Sequence, residues 1–149
     1  MVKKVLILSG SPRHGGNSDT LCDQFLKGAS EAGHDVEKYF ISAHNIGFCS
    51  ACYYCSSHDG VCCKKDDMNA LMPKILEADV LVFASPVYMY SVSAQLKAVF
   101  DRMVAKYETR LFHLTLMLQC STVNQVVICS SFAMAVLISF WIKGLMAFN

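Results

Sequence analysis

The first two-thirds of the chain alternates short, wholly apolar runs with longer amphipathic stretches. Val5–Leu8 and Val80–Phe83 contain no polar residue, which is typical of parallel strands buried on both faces. Val36–Ile41 predicts another strand, and a helix is predicted from Ser93 onwards. Helical spacing of the apolar positions predicts three helices, through Leu21, Cys22, Phe25, Leu26 and Ala29, through Met68, Leu71, Met72, Ile75 and Leu76, and through Leu96, Val99, Phe100 and Met103.

Capping and breaking residues set the predicted helix boundaries. Asn17 or Ser18 can cap the first helix, and Gly33 ends it. Asp66 and Asp67 favour a helix start through capping and through the helix dipole. The resulting order is strand–helix, strand–loop–helix, strand–helix, which is the order found in α/β proteins.

This alternation predicts an α/β fold with a mostly parallel sheet and helices on both of its faces. No linker, repeat or composition shift marks a domain boundary before residue 110, so we predict a single domain over residues 1–149. Ligands of such sheets bind beyond the carboxyl ends of the strands. The two most unusual loops, residues 9–18 and 85–92, both fall at that edge.

The first of these loops reads SGSPRHGGNS and leads into a helix. Its backbone N–H groups and the positive end of the helix suit a phosphate group, with side-chain donors from Ser11, Asn17 and Ser18 and a charge from Arg13. The nucleoside-triphosphate pattern G-x-x-x-x-G-K-[ST] and the dinucleotide pattern G-x-G-x-x-G are both absent. A strand-to-helix turn that merely needs glycine and a cap is the alternative interpretation.

The second loop is apolar and aromatic, and it follows a buried strand. It contains Pro86, Val87, Tyr88, Met89 and Tyr90. Such a loop can lie along a flat heteroaromatic ring while its backbone N–H groups bind the polar edge of that ring. Packing inside the protein or against a partner is the alternative for the two tyrosines.

Eight cysteines occur in the chain, and five of them lie between residues 49 and 63. Cys49, Cys52 and Cys55 follow at intervals of three, so their thiolates can surround one side of a small iron–sulfur cluster that Cys62 closes. Cys63 adjoins Cys62, and the spacing does not choose between them. A zinc ion, a redox dithiol of Cys52 and Cys55, and a loop without metal are the alternatives.

Composition adds limits to this interpretation. The chain has 149 residues, 13 Lys+Arg and 12 Asp+Glu, so its net charge of +1 offers no basic face for nucleic acid. A hydrophobic fraction of 54% excludes a disordered chain. The apolar run near the N-terminus is too short for a secretory signal, and we therefore expect a cytoplasmic protein with reduced cysteines.

Three segments, Ile7–Ser18, Asp66–Met68 and Ala78–Arg102, resemble the flavodoxin-like NAD(P)H-dependent FMN reductase family, in particular its iron–sulfur flavoprotein branch. The resemblance covers about residues 1–106. It implies a three-layer sandwich with a parallel sheet of strand order 2-1-3-4-5, whose last strands are atypical or missing in this chain. It also implies that Lys97, Asp101 and Arg102 are structural or interface residues.

The same resemblance implies the cofactors and their ligands. The FMN phosphate would be held by Ser11, Arg13, Asn17 and Ser18. The isoalloxazine ring would be lined by Pro86, Val87, Tyr88, Met89 and Tyr90. A [4Fe–4S] cluster would be held by Cys49, Cys52, Cys55 and Cys62.

In function, the resemblance implies transfer of electrons from NAD(P)H to FMN and then to the [4Fe–4S] cluster or to a small-molecule or protein acceptor. No catalytic acid or base is nominated, because a flavin supplies its own hydride and electron chemistry. Homodimers or tetramers are expected. A cluster-free NAD(P)H:FMN or quinone reductase, a non-enzymatic electron carrier and an inactive relative are the alternatives.

The resemblance is expected to end after Tyr107. Leu111–Leu118 predicts a fourth strand, and Val126–Ile142 is a 17-residue run without charge. This run has three interpretations: a divergent strand and helix buried in the core or in a dimer interface, a membrane segment at the lower limit of length, and an abnormal C-terminus from a shifted frame or a truncated gene. We expect no membrane association.

Overall fold

A computed structural model of the chain describes residues 1–106 and, beyond them, the backbone of two strands at 115–120 and 125–129. The strands are β1 (Lys4–Ser9), β2 (Asp35–Phe40), β3 (Val80–Pro86), β4 (Thr115–Cys120) and β5 (Gln125–Cys129). The helices are α1 (Asn17–Glu31), α2 (Met68–Glu77) and α3 (Ala94–Met103). Short 3-10 turns lie at Ile41–Ala43, Tyr54–Ser57 and Val104–Lys106.

The sheet has the strand order β2-β1-β3-β4-β5, which confirms the expected order. β1 pairs in parallel with β2 and β3, and β3 pairs in parallel with β4. β5 instead runs antiparallel to β4, so the sheet departs from a wholly parallel one at its last strand. Only four residues, 121–124, separate these two strands, whereas a parallel crossover needs about a dozen.

Alternate residues of β1 point to opposite faces of the sheet. Helices cover both faces, so the fold has three layers. Leu6 and Leu8 belong to one buried cluster, and Val5 and Ile7 to another that contains Cys22 of α1. The first cluster is completed by side chains of α2 and α3: Met68, Leu71, Ile75, Leu96 and Val99. Helix α1 therefore covers one face, and α2 and α3 cover the other, as the apolar spacing predicts.

The end of α1 confirms the role expected for Gly33. Gly33 has φ of 84°, and its N–H donates to the Ser30 carbonyl at 2.9 Å. The His34 N–H donates to the Ala29 carbonyl at 3.1 Å. These two bonds form a Schellman motif, which satisfies the last helical carbonyls and needs a residue that tolerates positive φ.

The expected cap of α1 is wrong. Asn17 and Ser18 are the first two residues inside the helix, and the N-cap position belongs to Gly16, which makes no side-chain cap. The first turn of α1 therefore has no side-chain partner at its N-cap. At α2, Asp67 holds the N-cap position, and the capping oxygen comes from Asp66, whose Oδ1 accepts from the first helical N–H at 3.2 Å.

The remaining boundaries differ from the predictions by a few residues. β2 ends before Ile41, which begins a 3-10 turn, and β4 begins at Thr115 inside the predicted 111–118 strand. β5 takes up the first four residues of the uncharged run, 126–129, while residues 130–142 lie outside the described residues. In the described parts of the chain, no helix is long and apolar enough to cross a membrane.

Candidate functional site

The loops that follow β1 and β3 are joined by direct hydrogen bonds. The Gly10 N–H donates to the Ala84 carbonyl at 2.7 Å, and the Ser93 hydroxyl donates to the Gly10 carbonyl at 2.7 Å. The Ser93 N–H donates to the Ser85 hydroxyl at 2.8 Å. The two loops singled out in the sequence are therefore neighbours at the carboxyl edge of the sheet.

Gly10 is required by the close approach of α3. A Cβ atom at this position would lie 2.8 Å from the Leu96 Cβ and 3.0 Å from the Ser93 Oγ. The distance to the Leu96 Cβ is shorter than packed atoms allow, and the distance to the Ser93 Oγ is tight, so a larger residue at position 10 would displace α3 from the first loop.

The first loop carries side-chain donors and one cation within a few residues of the start of α1. Ser11 is buried, and its hydroxyl accepts a hydrogen bond from the Arg13 N–H at 3.1 Å, which shapes the loop. Ser18 is buried, whereas the side chains of Arg13 and Asn17 are exposed. Because no side chain caps the N-terminus of α1, its first N–H groups are available to an external anion, and the helix dipole favours one.

Asp19 is a component of this loop that sequence reasoning missed. It is only 4% exposed, and its Oδ2 accepts from the N–H of Gly15, which has φ of 67°. Its Oδ1 accepts from the Lys38 Nζ at 2.9 Å, and Lys38 also binds Asp23. Burial opposes ionisation, but the Gly15 N–H and the Lys38 ammonium outweigh it and hold the pKa of Asp19 below its ordinary value.

The Lys38 ammonium thus balances the negative charge of Asp19 beside the first loop. The sequence offers one signal for it, an acidic residue in the first turn of a helix. Its partner Lys38 lies in β2, and only the folded sheet brings the two together.

The second loop ends in a tight turn with unusual backbone angles. The Tyr88 N–H donates to the Ser91 carbonyl at 2.9 Å, and the Ser91 N–H donates back at 3.0 Å. Between them, Met89 has φ of 46° and Tyr90 has φ of 63°. Two consecutive positive φ angles define a type I′ turn, which normally contains Asn and Gly.

The side chains of this turn face solvent. Met89 is 91% exposed, Tyr90 is 98% exposed and Tyr88 is 45% exposed, while Pro86 and Val87 are half-buried at the end of β3. Large residues at positive φ store backbone strain, and such strain is concentrated at functional sites. The turn therefore presents an apolar, aromatic surface beside the first loop.

The structure brings the four predicted cysteine ligands to one recess. Cys49, Cys52, Cys55 and Cys62 all line it, together with Ser50, Tyr53, Lys64, Arg102, Val104 and Ala105. The recess is partly open to solvent. Cys63 is exposed and does not line the recess; its Sγ lies 3.7 Å from the Cys52 Sγ.

Within residues 1–106, no group of three or more His, Cys, Asp or Glu residues is arranged to hold one metal ion. A single zinc ion needs four ligand atoms at about 2–2.3 Å from one point. Thiolates that bind a cluster of several irons need not converge on one point, because they attach to different irons.

The cysteine loop depends on the segment after α3 for its shape. Ala51, Tyr53 and Asp59 have φ of 52°, 55° and 50°, so the loop contains three non-glycine residues in the left-handed region. Gly60 has φ of 71°, and a Cβ there would lie 2.3 Å from the Ala105 carbonyl oxygen. The Lys106 Nζ donates to the Asp59 carbonyl at 2.6 Å, which joins the same two segments.

A buried ion pair closes the base of the cysteine loop. Arg102 is 2% exposed; its Nη1 donates to Asp66 Oδ2 at 2.7 Å and to the Gly47 carbonyl at 3.0 Å, and its Nη2 donates to Asp66 Oδ1 at 3.0 Å. The Gly47 N–H also donates to Asp66 at 3.0 Å. The hydrogen bonds from Arg102 hold the pKa of Asp66 below its ordinary value. Arg102 therefore has the structural role expected for it.

A family model described as NADPH-dependent FMN reductase matches residues 3–131. The match continues through β4 and β5, so the expectation that family resemblance ends after Tyr107 is wrong.

Two curated iron–sulfur flavoproteins are similar to the chain. The protein of Archaeoglobus fulgidus is 40% identical over 101 residues, which cover 68% of this chain and 46% of the relative. The protein of Methanosarcina thermophila is 41% identical over 101 residues, which cover 68% of this chain and 52% of the relative. The chain thus spans about half the length of these relatives.

Solved structures confirm the flavodoxin-like α/β fold. The NAD(P)H:quinone oxidoreductase of Methanothermobacter marburgensis superposes with a TM-score of 0.68 at 24% identity, over 81% of this chain and 66% of that one. An FMN-dependent NADH-azoreductase of Bacillus anthracis, solved with FMN, gives 0.56 at 15% identity, over 79% of this chain and 69% of that one.

Proposed function

Because the chain belongs to the NADPH-dependent FMN reductase family, we propose that it binds FMN between the loops after β1 and β3 and acts as an NAD(P)H-dependent oxidoreductase. One observation carries the proposal: the Ser93 hydroxyl binds the Gly10 carbonyl and holds an anion-binding loop against an aromatic loop. A phosphate and a flat ring on one small molecule need such a pair of surfaces.

The first loop fits the phosphate of FMN. The uncapped first turn of α1 supplies backbone donors, and Ser18, Asn17 and Arg13 lie at the same end. Lys38 offsets the charge of Asp19, which would otherwise repel a dianion. The donor set is that of a phosphate site at a helix N-terminus.

The second loop fits the flavin ring. The exposed side chains of Tyr88, Met89 and Tyr90 provide apolar surface, and Pro86 and Val87 place it at the carboxyl end of β3. Bound FMN would supply the hydride and single-electron chemistry, so these residues need only bind the ring, orient it and exclude water.

We further propose that the cysteine recess holds a [4Fe–4S] cluster through Cys49, Cys52, Cys55 and Cys62. All four line the recess, and the cationic groups of Lys64 and Arg102 line it too, which offsets the negative charge of four thiolates. The curated relatives are named iron–sulfur flavoproteins. Electrons would leave to a small-molecule or protein acceptor.

A cluster-free NAD(P)H:FMN or quinone reductase is the second candidate. It is favoured by the contact between Cys52 and Cys63, whose Sγ atoms lie 3.7 Å apart. Two thiols this close can pair with each other instead of binding separate irons. Iron content separates the two candidates directly.

The experiment is anaerobic purification of the full chain, followed by reconstitution with FMN, iron and sulfide. We expect the two visible bands of an oxidised flavin, the broad shoulder of an iron–sulfur cluster and consumption of NADPH or NADH. Cys52→Ala should lose iron and keep flavin. Flavin without iron in the wild type would favour the cluster-free reductase, and a colourless protein after addition of FMN would refute both candidates.

We also propose that the chain forms a homodimer or tetramer and is cytoplasmic. A second copy of the chain would cover the exposed turn at Met89 and Tyr90, which supports a homodimer or tetramer. Sedimentation of the reconstituted protein tests this assembly. A reducing cytoplasm is proposed because the cysteines between residues 49 and 63 must stay reduced to bind iron.

A further inference from the structure

Arg102 contains a buried donor that the fold leaves without a partner. The side chain is 1% exposed, and its two terminal nitrogens are occupied by Asp66 and the Gly47 carbonyl. The third nitrogen, Nε, is buried and has no hydrogen-bond partner among the described residues. A buried donor without an acceptor destabilises the folded protein, so it needs an explanation.

The surroundings of Arg102 point to a sulfur acceptor. Arg102 lines the cysteine recess with Cys62, while Val104 and Ala105 contribute apolar surface beside it. The guanidinium of Arg102 is always protonated in proteins, so the recess contains a permanent cation. Asp66 already accepts from both terminal nitrogens, and Cys62 is a recess cysteine with which Arg102 interacts electrostatically.

We infer that the Nε–H of Arg102 donates a hydrogen bond to the Cys62 thiolate when the recess holds its iron–sulfur cluster. The inference rests on the proposed function. A donor to a ligating sulfur withdraws negative charge from the cluster and favours its reduced, more negative state. Arg102 is therefore a positioning residue that also raises the reduction potential of the cluster.

Lysine cannot replace arginine in this arrangement. The planar guanidinium directs two nitrogens at one carboxylate and keeps the third at a fixed angle to them, whereas an ammonium is a single point charge. The bidentate bond to Asp66 therefore fixes the direction of Nε–H. Substitution by lysine keeps the charge and removes this direction.

The experiment measures the midpoint potential of the cluster in the reconstituted full chain by a spectroscopic redox titration. In Arg102→Lys we expect the equilibrium constant for reduction to fall about tenfold, which is about 59 mV for one electron. The matched control is Lys97→Gln, which removes an exposed charge from the same helix and should leave the potential unchanged. A folded Arg102→Lys protein with full iron content and the wild-type potential would overturn the inference.

A measurement on the wild type covers the case in which Arg102→Lys does not fold. The chain has three arginines, so selective ¹⁵N labelling of arginine gives few signals. Pulsed EPR of the reduced cluster should detect one weakly coupled arginine nitrogen, and its absence would overturn the inference. Wild-type protein without iron would refute the proposed cluster itself, and the inference with it, so the two failures are distinguishable.

Discussion

The Ser93 hydroxyl donates a hydrogen bond to the Gly10 carbonyl at 2.7 Å, across 83 residues of sequence. The same oxygen accepts from the Leu96 N–H at 3.3 Å. One small side chain therefore caps α3 and joins the first loop to it.

Ser93→Ala should destabilise the protein and weaken FMN binding. Loss of the cap and of the bond to Gly10 should cost about 1–2 kcal/mol in the free energy of unfolding, measured with urea. The FMN affinity should fall several-fold, because the two loops are no longer held together. Ser91→Ala is the control, since Ser91 contributes backbone bonds to its turn. Equal affinity in the two variants would contradict the proposed role of Ser93.

Lys38→Met should weaken FMN binding without any direct contact to the cofactor. Removal of the ammonium leaves the Asp19 carboxylate unpaired beside the first loop, and this carboxylate then repels the phosphate of FMN. Fluorescence titration with FMN should show a lower affinity that Asp19→Asn partly restores in the double variant. Lys74→Met removes an ammonium paired with Glu37 and is the matched control, for which we expect no change.

The Asp66–Arg102 pair predicts a pH dependence of stability. The pKa of Asp66 is lower in the folded than in the unfolded chain, so its contribution is complete above about pH 4 and is lost as the pH falls through the folded value. Asp66→Asn should lower the free energy of unfolding at pH 7, and the difference from wild type should shrink below pH 4. Glu37→Gln, at an exposed pair, should show a small difference at every pH.

Cys62 and Cys63 should behave differently although they are neighbours in sequence. Cys62 lines the recess and Cys63 does not, so Cys62→Ser should lose most of the iron and Cys63→Ser should retain it. Iron per protein after anaerobic reconstitution measures this. Both variants should bind FMN equally, which controls for folding. Iron loss in Cys63→Ser alone would reassign the fourth ligand.

In the type I′ turn, Met89 and Tyr90 should lower the stability of the protein and strengthen its binding of FMN. Asn and Gly in place of these residues relieve two positive φ angles, each of which costs about 1 kcal/mol or more for ordinary residues. The double variant should unfold at a higher temperature and bind FMN less tightly. A variant that gains stability and keeps its affinity would show that the two side chains do not contact the ring.

Much of the fold follows from local patterns in the sequence. The apolar runs around Ile7 and Val82 predict buried central strands, since both faces of these strands are covered. Gly33 and Ser93 mark helix ends because their backbone or side-chain chemistry is specific. The sequence mispredicts the cap of α1, because Asn17 and Ser18 are the first two residues inside the helix and Gly16 occupies the N-cap position.

The site is only half visible in the sequence. Loop composition predicts ligand contacts for residues such as Arg13 and Tyr88, which stay predictions, and the cysteine spacing predicts the recess that the structure contains. The ion pairs that hold these loops cannot be predicted from the sequence. Lys38 pairs with Asp19, and Arg102 pairs with Asp66, only in the folded protein. Long-range ion pairs leave no local pattern to read.

Helix α3 has a consequence for the distance between the two proposed cofactors. Its first turn begins at Ser93 beside the flavin loops, and Arg102 near its last turn reaches the cysteine recess. Ten residues of α-helix span about 15 Å, so α3 acts as a rigid spacer of that length. One inserted residue would add about 1.5 Å and rotate one end by about 100° relative to the other. If both cofactors bind as proposed, the number of residues in α3 sets their separation as directly as any ligand does.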